Sequence, residues 1–159
     1  LEEMGKSCKC IRCREVGLVK KTPKKLELDV LEYEASNGIE HFISIEDFDQ
    51  DILVGFCRLR FPKKAIRTEM ENAGIVRELK VYGNEIGISK RGEEIGLGEW
   101  ENGFQHQGYG KALMEKAENI IVDSGYEKIV VLAGIGAREY YREKLGYYQD
   151  GPYVSKWLV

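Results

Sequence analysis

Gln105-His106-Gln107-Gly108-Tyr109-Gly110 is the stretch on which the reading of this chain turns, because an amphipathic helix follows it at once. A glycine-bearing turn that feeds a helix is a way for a backbone to grip phosphate. Gly108 and Gly110 can adopt positive φ, which aims successive N–H groups into one concavity and lets them approach an anion with no side chain in between. The start of the helix adds unsatisfied donors and the positive end of its dipole. The pattern points to a cofactor that carries a pyrophosphate. It lacks the third glycine of a dinucleotide fingerprint and the Gly-Lys-Ser/Thr ending of a Walker loop. Spacing alone leaves a plain glycine-assisted loop as the alternative.

Downstream, Leu113, Ala117, Ile120 and Ile121 recur at helical spacing while Lys111, Glu115, Glu118 and Asp123 fall mostly elsewhere, and Gly125 is placed to stop the helix. Upstream, Ile75, Val76, Leu79 and Val81 predict a strand over 74–81. Further back, Leu26, Leu28, Val30 and Tyr33 alternate roughly with charged residues, and Ser36-Asn37-Gly38 is a turn signal before a second alternating run over 41–45. That predicts a hairpin. A third strand over 52–61 ends at Pro62, a fifth occupies 128–133, a short helix begins at Ala137, and final strands lie near Tyr147 and over 153–158. The expected class is α/β: a mixed, mostly antiparallel central sheet flanked by helices. No internal repeat is present.

With 159 residues, 43% of them apolar, the chain has the size of one domain and enough apolar content for a core. No run approaches the roughly 18 apolar residues of a membrane span, so a soluble protein with no membrane partner is expected. Nothing near Leu1 resembles a signal peptide, and the first residue reads as a cut within a longer protein. The net charge of −3 argues against a uniformly basic nucleic-acid binder. Charge is nonetheless uneven: Lys6, Lys9, Arg12, Arg14, Lys20, Lys21, Lys24 and Lys25 crowd the first stretch against Glu2, Glu3 and Glu15. A local basic face can contact phosphates in a salt-dependent way even on an acidic domain; a solvated arm is the alternative.

Cys8, Cys10 and Cys13 form a second chemical cluster. Three thiols so close in sequence can converge on one zinc ion, which asks for four donors in a tetrahedron. One donor is missing: Cys57 sits in an apolar run and reads as a core thiol. A disulfide is the alternative for this group. The iron–sulfur spacing of a radical enzyme, with three and then two residues between successive cysteines, does not occur.

Gln105, Gly108 and Gly110 in a Gln-x-x-Gly-x-Gly arrangement, the helix, the apolar strand, then 137–141 and Leu145-Gly146-Tyr147, together resemble the acyl-CoA-binding core of the GCN5-related N-acetyltransferase superfamily. Five blocks narrow the resemblance: Cys10-Ile11-Arg12-Cys13-Arg14-Glu15-Val16-Gly17, Val76-Arg77-Glu78-Leu79-Lys80-Val81-Tyr82-Gly83, the hexapeptide, Gly134-Ile135-Gly136-Ala137-Arg138-Glu139-Tyr140-Tyr141-Arg142 and Asp150-Gly151-Pro152-Tyr153. In that order they resemble the C-terminal acetyltransferase domain of the Elongator catalytic subunit family, in an archaeal form. The resemblance implies acetyl-CoA as cofactor and carboxymethyl-type modification of the wobble uridine (U34) of tRNA in the cytoplasm. It also implies a radical S-adenosylmethionine (SAM) domain as partner, which would hold the SAM and the iron–sulfur cluster; other Elongator subunits or self-association are further partners. Residues 1–23 would be the cysteine-bearing arm at the junction with that domain, whose fourth ligand would complete a zinc site, and 24–159 the acetyl-CoA-binding domain.

On this reading the pyrophosphate would rest on Gln105, His106, Gln107, Gly108, Tyr109, Gly110 and Lys111, and the pantetheine arm between the fourth and fifth strands near Leu79, Lys80 and Val81. A strand N–H near Lys80 or Val81 would serve the developing oxyanion. Tyr141 is the first candidate to protonate the departing thiolate and Tyr140 the second; the alternative is that Tyr140 packs in the core and Tyr141 only lines the pocket. The chain departs from the family in carrying one extra residue between Tyr141 and Gly146, expected to be absorbed after the tyrosine. Glu78 is the candidate base, or else an exposed carboxylate paired with Arg77 or Lys80. Transfer to a carbon radical on uridine would need no such base. The glycine-rich segment 84–103 reads as a lid over the site or as an insertion without a role. A protein or histone lysine acetyltransferase and a non-catalytic tRNA-binding scaffold remain as alternative functions.

Overall fold

The computed structural model describes residues 8–19, 21–82 and 108–159. Seven strands form one sheet: β1 (Glu27–Glu34), β2 (Gly38–Asp47), β3 (Ile52–Pro62), β4 (Ala73–Val81), β5 (Lys128–Val131), β6 (Tyr148–Asp150) and β7 (Tyr153–Trp157), in the spatial order β1-β2-β3-β4-β5-β7-β6. Every neighbouring pair is antiparallel except β4 and β5, which run parallel with α2 (Tyr109–Asp123) between them in sequence. A parallel pair needs such a crossover. α1 (Ile11–Arg14) precedes the sheet and α3 (Arg138–Leu145) follows β5. The expected mixed, mostly antiparallel architecture is therefore the one observed.

Alternation in the sequence becomes a two-faced sheet. Ile43, Cys57, Leu59 and Phe61 join Leu113, Ala117 and Ile121 of α2 in the core, and Leu26, Leu28 and Val30 extend it. The alternation breaks at Tyr33, which pairs with Glu40 across the opposite face. On that face Phe56 is buried against Phe42, 5.2 Å away, and Tyr82. α2 lies so close to the sheet that a β-carbon on Gly74 would collide with Ile121. Gly125 ends α2 at φ +82, as its position predicts.

Ahead of the sheet, the arm is anchored. The Val16 N–H donates to the Leu53 carbonyl at 3.0 Å, and Glu15 bridges Leu53. Arg14 pairs with Glu46 and Asp51, Lys9 with Asp51 at 2.7 Å, and Lys25 with Glu27. Much of the basic character of this stretch is thus spent on the protein itself, while Arg12, Lys21 and Lys24 join no ion pair among the described residues. Cys57 is fully buried, as expected of a core thiol, and burial pushes its pKa up to about 12.

Candidate functional site

β4 decides the site. Between β3 and β4 the pairing steps from Arg58↔Glu78 to Leu59↔Val76, so Arg77 is an extra residue without a partner on β3. Such a bulge bends its strand and reverses which way later amides point. On the other edge, β4 pairs with β5 only over Ala73 to Val76, and the last link is the Leu132 N–H to the Val76 carbonyl at 3.0 Å. Beyond it the two strands part. The gap is a slot of about 200 Å³ lined by Glu78, Leu79, Val131, Ala133, Gly134 and Tyr141, among others.

The direction of the amides along the slot follows from one hydrogen bond. The Tyr82 N–H donates to the Val54 carbonyl at 2.7 Å. Because successive strand amides point to opposite sides, the Lys80 N–H also faces β3, whereas those of Leu79 and Val81 face the slot. Of the strand donors expected from the sequence, Lys80 is thereby turned away and Leu79 and Val81 are presented.

Gly108 stands at the head of α2 with φ +74, nothing within 4 Å of where a β-carbon would sit, and no side chain capping the helix. The Gly108 carbonyl takes the first helical bonds, from Lys111 at 3.2 Å and Ala112 at 3.4 Å, so the N–H groups of Tyr109 and Gly110 have no partner inside the helix. A β-carbon on Gly110 would lie 3.7 Å from Val81, which sets this turn against the end of β4. Tyr109 is half-buried against the core, and Lys111 reaches Glu115 at 3.7 Å. Open donors at a positively polarised helix end, beside a slot lined by strand amides, fit an extended ligand with a diphosphate at one end. Gln105, His106, Gln107 and the segment 84–103 lie outside the described residues.

The two tyrosines occupy different places. Tyr141 is 5% exposed, lines the slot and packs edge-on against Tyr147 at 5.7 Å; burial pushes its phenol well above the usual range. Tyr147 donates to Glu118 at 2.8 Å, and Lys156 holds the same carboxylate at 3.0 Å. Tyr140 is the more exposed ring and stands against Gly110 in the first turn of α2, its phenol also raised by burial. The last turn of α3 is wide: the Tyr141 carbonyl receives the N–H of Gly146, five positions on, and that of Tyr147 at 3.1 Å. Gly146 closes this turn at φ +74.

Glu78 is exposed and faces Arg58, its register partner, at 3.6 Å. It has the surroundings of a surface carboxylate, with Arg58 rather than Arg77 or Lys80 as its mate. Arg77 instead joins Arg60 on Glu40, which is 2% exposed. Sequence reasoning missed this triad, because a glutamate in an alternating strand reads as solvent-facing.

Cys8, Cys10 and Cys13 come together: their sulfurs all lie within 4.8 Å of one another, unlinked by disulfide. Hydrogen bonds from the Cys13 backbone and from the thiols of Cys8 and Cys13 lower Cys10 to about 7, while hydrogen bonding with the Cys10 and Cys8 thiols raises Cys13 to about 11. Three converging thiols, one of them readily ionised, form a donor set that can hold a metal ion. No described helix is long and apolar enough to cross a membrane.

The comparisons agree with this geometry. Residues 14–147 match the model of the Acetyltransferase (GNAT) family. The tRNA uridine(34) acetyltransferase of Methanocaldococcus jannaschii is 46% identical over 99% of this chain and 29% of its own length. The Elongator complex protein 3 of Dictyostelium discoideum is 46% identical over 99% of this chain and 28% of its own. Among solved structures, the archaeal Methanocaldococcus infernus Elp3 with an N-terminal deletion superposes with a TM-score of 0.81 at 43% identity, over 98% of this chain and 37% of that one. The chain thus spans less than a third of the length of these curated relatives. It belongs to the GNAT family of acetyltransferases, and its kinship within that family is with Elongator protein 3.

Proposed function

We propose that this chain is the acetyl-CoA-binding unit of a tRNA-modifying acyltransferase that acts on the wobble uridine, in the cytoplasm and together with a radical SAM domain. The single observation that carries the reading is the slot where β4 and β5 part, with the uncapped Gly108 turn at one end and Tyr141 in its wall. Sequence identity of 46% over 99% of this chain with a tRNA uridine(34) acetyltransferase supports the acceptor. Other Elongator subunits, or a second copy, are the partners that this kinship suggests.

Bound acetyl-CoA supplies an acetyl group activated as a thioester. Backbone N–H groups of Tyr109 and Gly110 would bind phosphate at the head of α2, with Lys111 beside them. The Leu79 and Val81 amides would orient the acyl carrier along β4, and the Leu79 N–H, which faces the slot, would serve negative charge developing on a carbonyl oxygen. The Tyr141 hydroxyl would hold the proton for a departing thiolate, since a phenol raised by burial carries its proton at working pH. Tyr140 closes the mouth. Exposed and paired, Glu78 is left without a proton-transfer role, consistent with an acceptor that needs no deprotonation. Cys8, Cys10 and Cys13 would hold zinc, which supplies a structural tie rather than chemistry, with a fourth ligand from outside this chain.

The test measures acetyl-CoA affinity with and without tRNA, alongside acetylation of peptide lysines. Cofactor binding without peptide turnover is expected. Peptide turnover at enzymatic rates would identify a protein acetyltransferase instead, and absence of cofactor binding would leave only a scaffold.

A further inference from the structure

A second hollow, of about 460 Å³, adjoins the slot and shares Arg77 and Leu132 with it. It lies beside Ile75 and Arg77, whereas the Gly108 turn adjoins Val81, so the hollow sits at the opposite end of β4 from the phosphate-gripping amides. Its size is that of a small-ligand pocket. Met70 and Ile75 are buried beneath it, and Ile66 and Leu132 stand exposed at its sides.

The charges around it are unbalanced. Arg60 is held rigid by the Ala35 carbonyl at 3.0 Å, the Ser36 carbonyl at 2.6 Å and Glu40 at 2.6 Å, and it neutralises that buried glutamate. Arg77 gives only one guanidinium nitrogen to Glu40, at 2.7 Å, and its remaining nitrogens bond nothing among the described residues. Lys63 and Lys64 join no ion pair there either. Three cations are therefore available around an apolar floor, on a protein whose net charge is negative.

We propose that this hollow binds a nucleotide of a single-stranded RNA acceptor, the base on the apolar floor beside the Arg60 guanidinium and the flanking phosphates on Lys63, Lys64 and Arg77. A flat apolar ring with an anion at each side matches what the hollow offers, and RNA bases stack on rigid guanidinium planes. The free edge of Arg77 suits phosphate in a two-pronged grip. An acidic peptide would satisfy the cations but leave the floor unfilled. The inference rests on the acyl-transfer reading for the acceptor's role; the binding itself requires no acetyl-CoA.

Fluorescence anisotropy with a labelled oligouridylate, read at several salt concentrations, tests it on the wild type, K63A/K64A, I66E and the control K144A, with acetyl-CoA affinity measured on each. K63A/K64A should weaken RNA binding about tenfold and lower the salt slope by about 1.4, at about 0.7 per single-strand phosphate contact. I66E should also weaken it, while K144A and all acetyl-CoA affinities stay unchanged. RNA affinity and slope unchanged in both hollow variants would overturn the proposal, as would failure of the wild type to bind the oligouridylate. A polyglutamate peptide that bound with the same Lys63/Lys64 dependence in place of RNA would overturn it in favour of a protein ligand. RNA binding that depends on the hollow, in a protein that binds no acetyl-CoA, would uphold this site and defeat the acyl-transfer reading.

Discussion

The Tyr140 hydroxyl stands 3.0 Å from the point at which a side chain on Gly110 would begin. Helix α3 and the first turn of α2 therefore meet at the mouth of the slot, and Gly110 is small because Tyr140 is there. Gly110→Ala should push the phenol aside and weaken acetyl-CoA binding several-fold with little loss of fold, since only a side-chain tip must move. Gly110→Ala combined with Tyr140→Phe should recover most of that affinity. Isothermal titration of both variants checks the coupling; equal losses with and without the hydroxyl would show that the contact is incidental.

Gly74 makes the opposite case. A β-carbon there meets Ile121 within the core, so Gly74→Ala should cost about 1–3 kcal/mol of stability through overpacking. Per-molecule acetyl-CoA affinity of the folded fraction should remain unchanged. Thermal melts and titrations together separate the two glycines.

Tyr141→Phe should lower acetyl-CoA turnover about a hundredfold with its binding preserved, the lower end of what a positioned acid contributes. Tyr147→Phe loses the hydrogen bond to Glu118 and should act more weakly, by loosening the ring against which Tyr141 packs. A Tyr141→Phe enzyme with full turnover would remove the phenol from the mechanism.

Asp47, the last residue of β2, ties the segment ahead of β1 to the sheet. It accepts from the Gln50 side chain at 2.9 Å and from the N–H groups of Lys24 at 2.7 Å and Lys25 at 3.1 Å, and these bonds hold its carboxyl well below the usual range. A depressed folded pKa stabilises the protein above the unfolded value of about 3.9, and the contribution is lost as pH falls from about 5 toward the folded value. Asp47→Asn should destabilise the protein by about 2 kcal/mol at neutral pH and flatten its stability profile below about pH 5. Denaturant melts across that range provide the check.

How much of this was legible in the sequence depends on whether a feature is local. The strands of the hairpin, the stop at Gly125 and the turn at Gly108 follow from alternation and glycine placement, which a short window contains. Tyr33 breaks the parity of β1, and nothing near it announces the change. The bulge at Arg77 was not legible because it is defined by what lies opposite on β3, and it is this residue that hands the slot to Leu79 and Val81 rather than Lys80. Glu40 was hidden for a similar reason: its two arginines come from Arg60 and Arg77, 20 and 37 positions away. α1 spans only four residues, too few to show a helical period. The convergence of Cys8, Cys10 and Cys13 could be foreseen from spacing, but not the contrast in acidity between Cys10 and Cys13, which depends on the turn itself.

Because thiolate is the form that binds metal, zinc uptake by the cysteine cluster should release protons and strengthen as pH rises through about 7, where Cys10 ionises. Competition with a chromophoric chelator at pH 6 and pH 8 measures this, and Cys13→Ser, which removes the thiol that is harder to ionise, should shrink the difference more than Cys10→Ser. An affinity independent of pH would point away from a thiolate site.

The open amides after Gly108 are proposed to hold a coenzyme A diphosphate. Gly108 adopts φ +74 with ψ 145, a conformation essentially reserved for glycine that costs another residue about 1–3 kcal/mol, so Gly108→Val should reshape the turn while the sheet stays folded. Titration of acetyl-CoA into the wild type and Gly108→Val is the most direct measurement. At least a tenfold loss of affinity in a folded variant is predicted; an unchanged affinity would contradict the account.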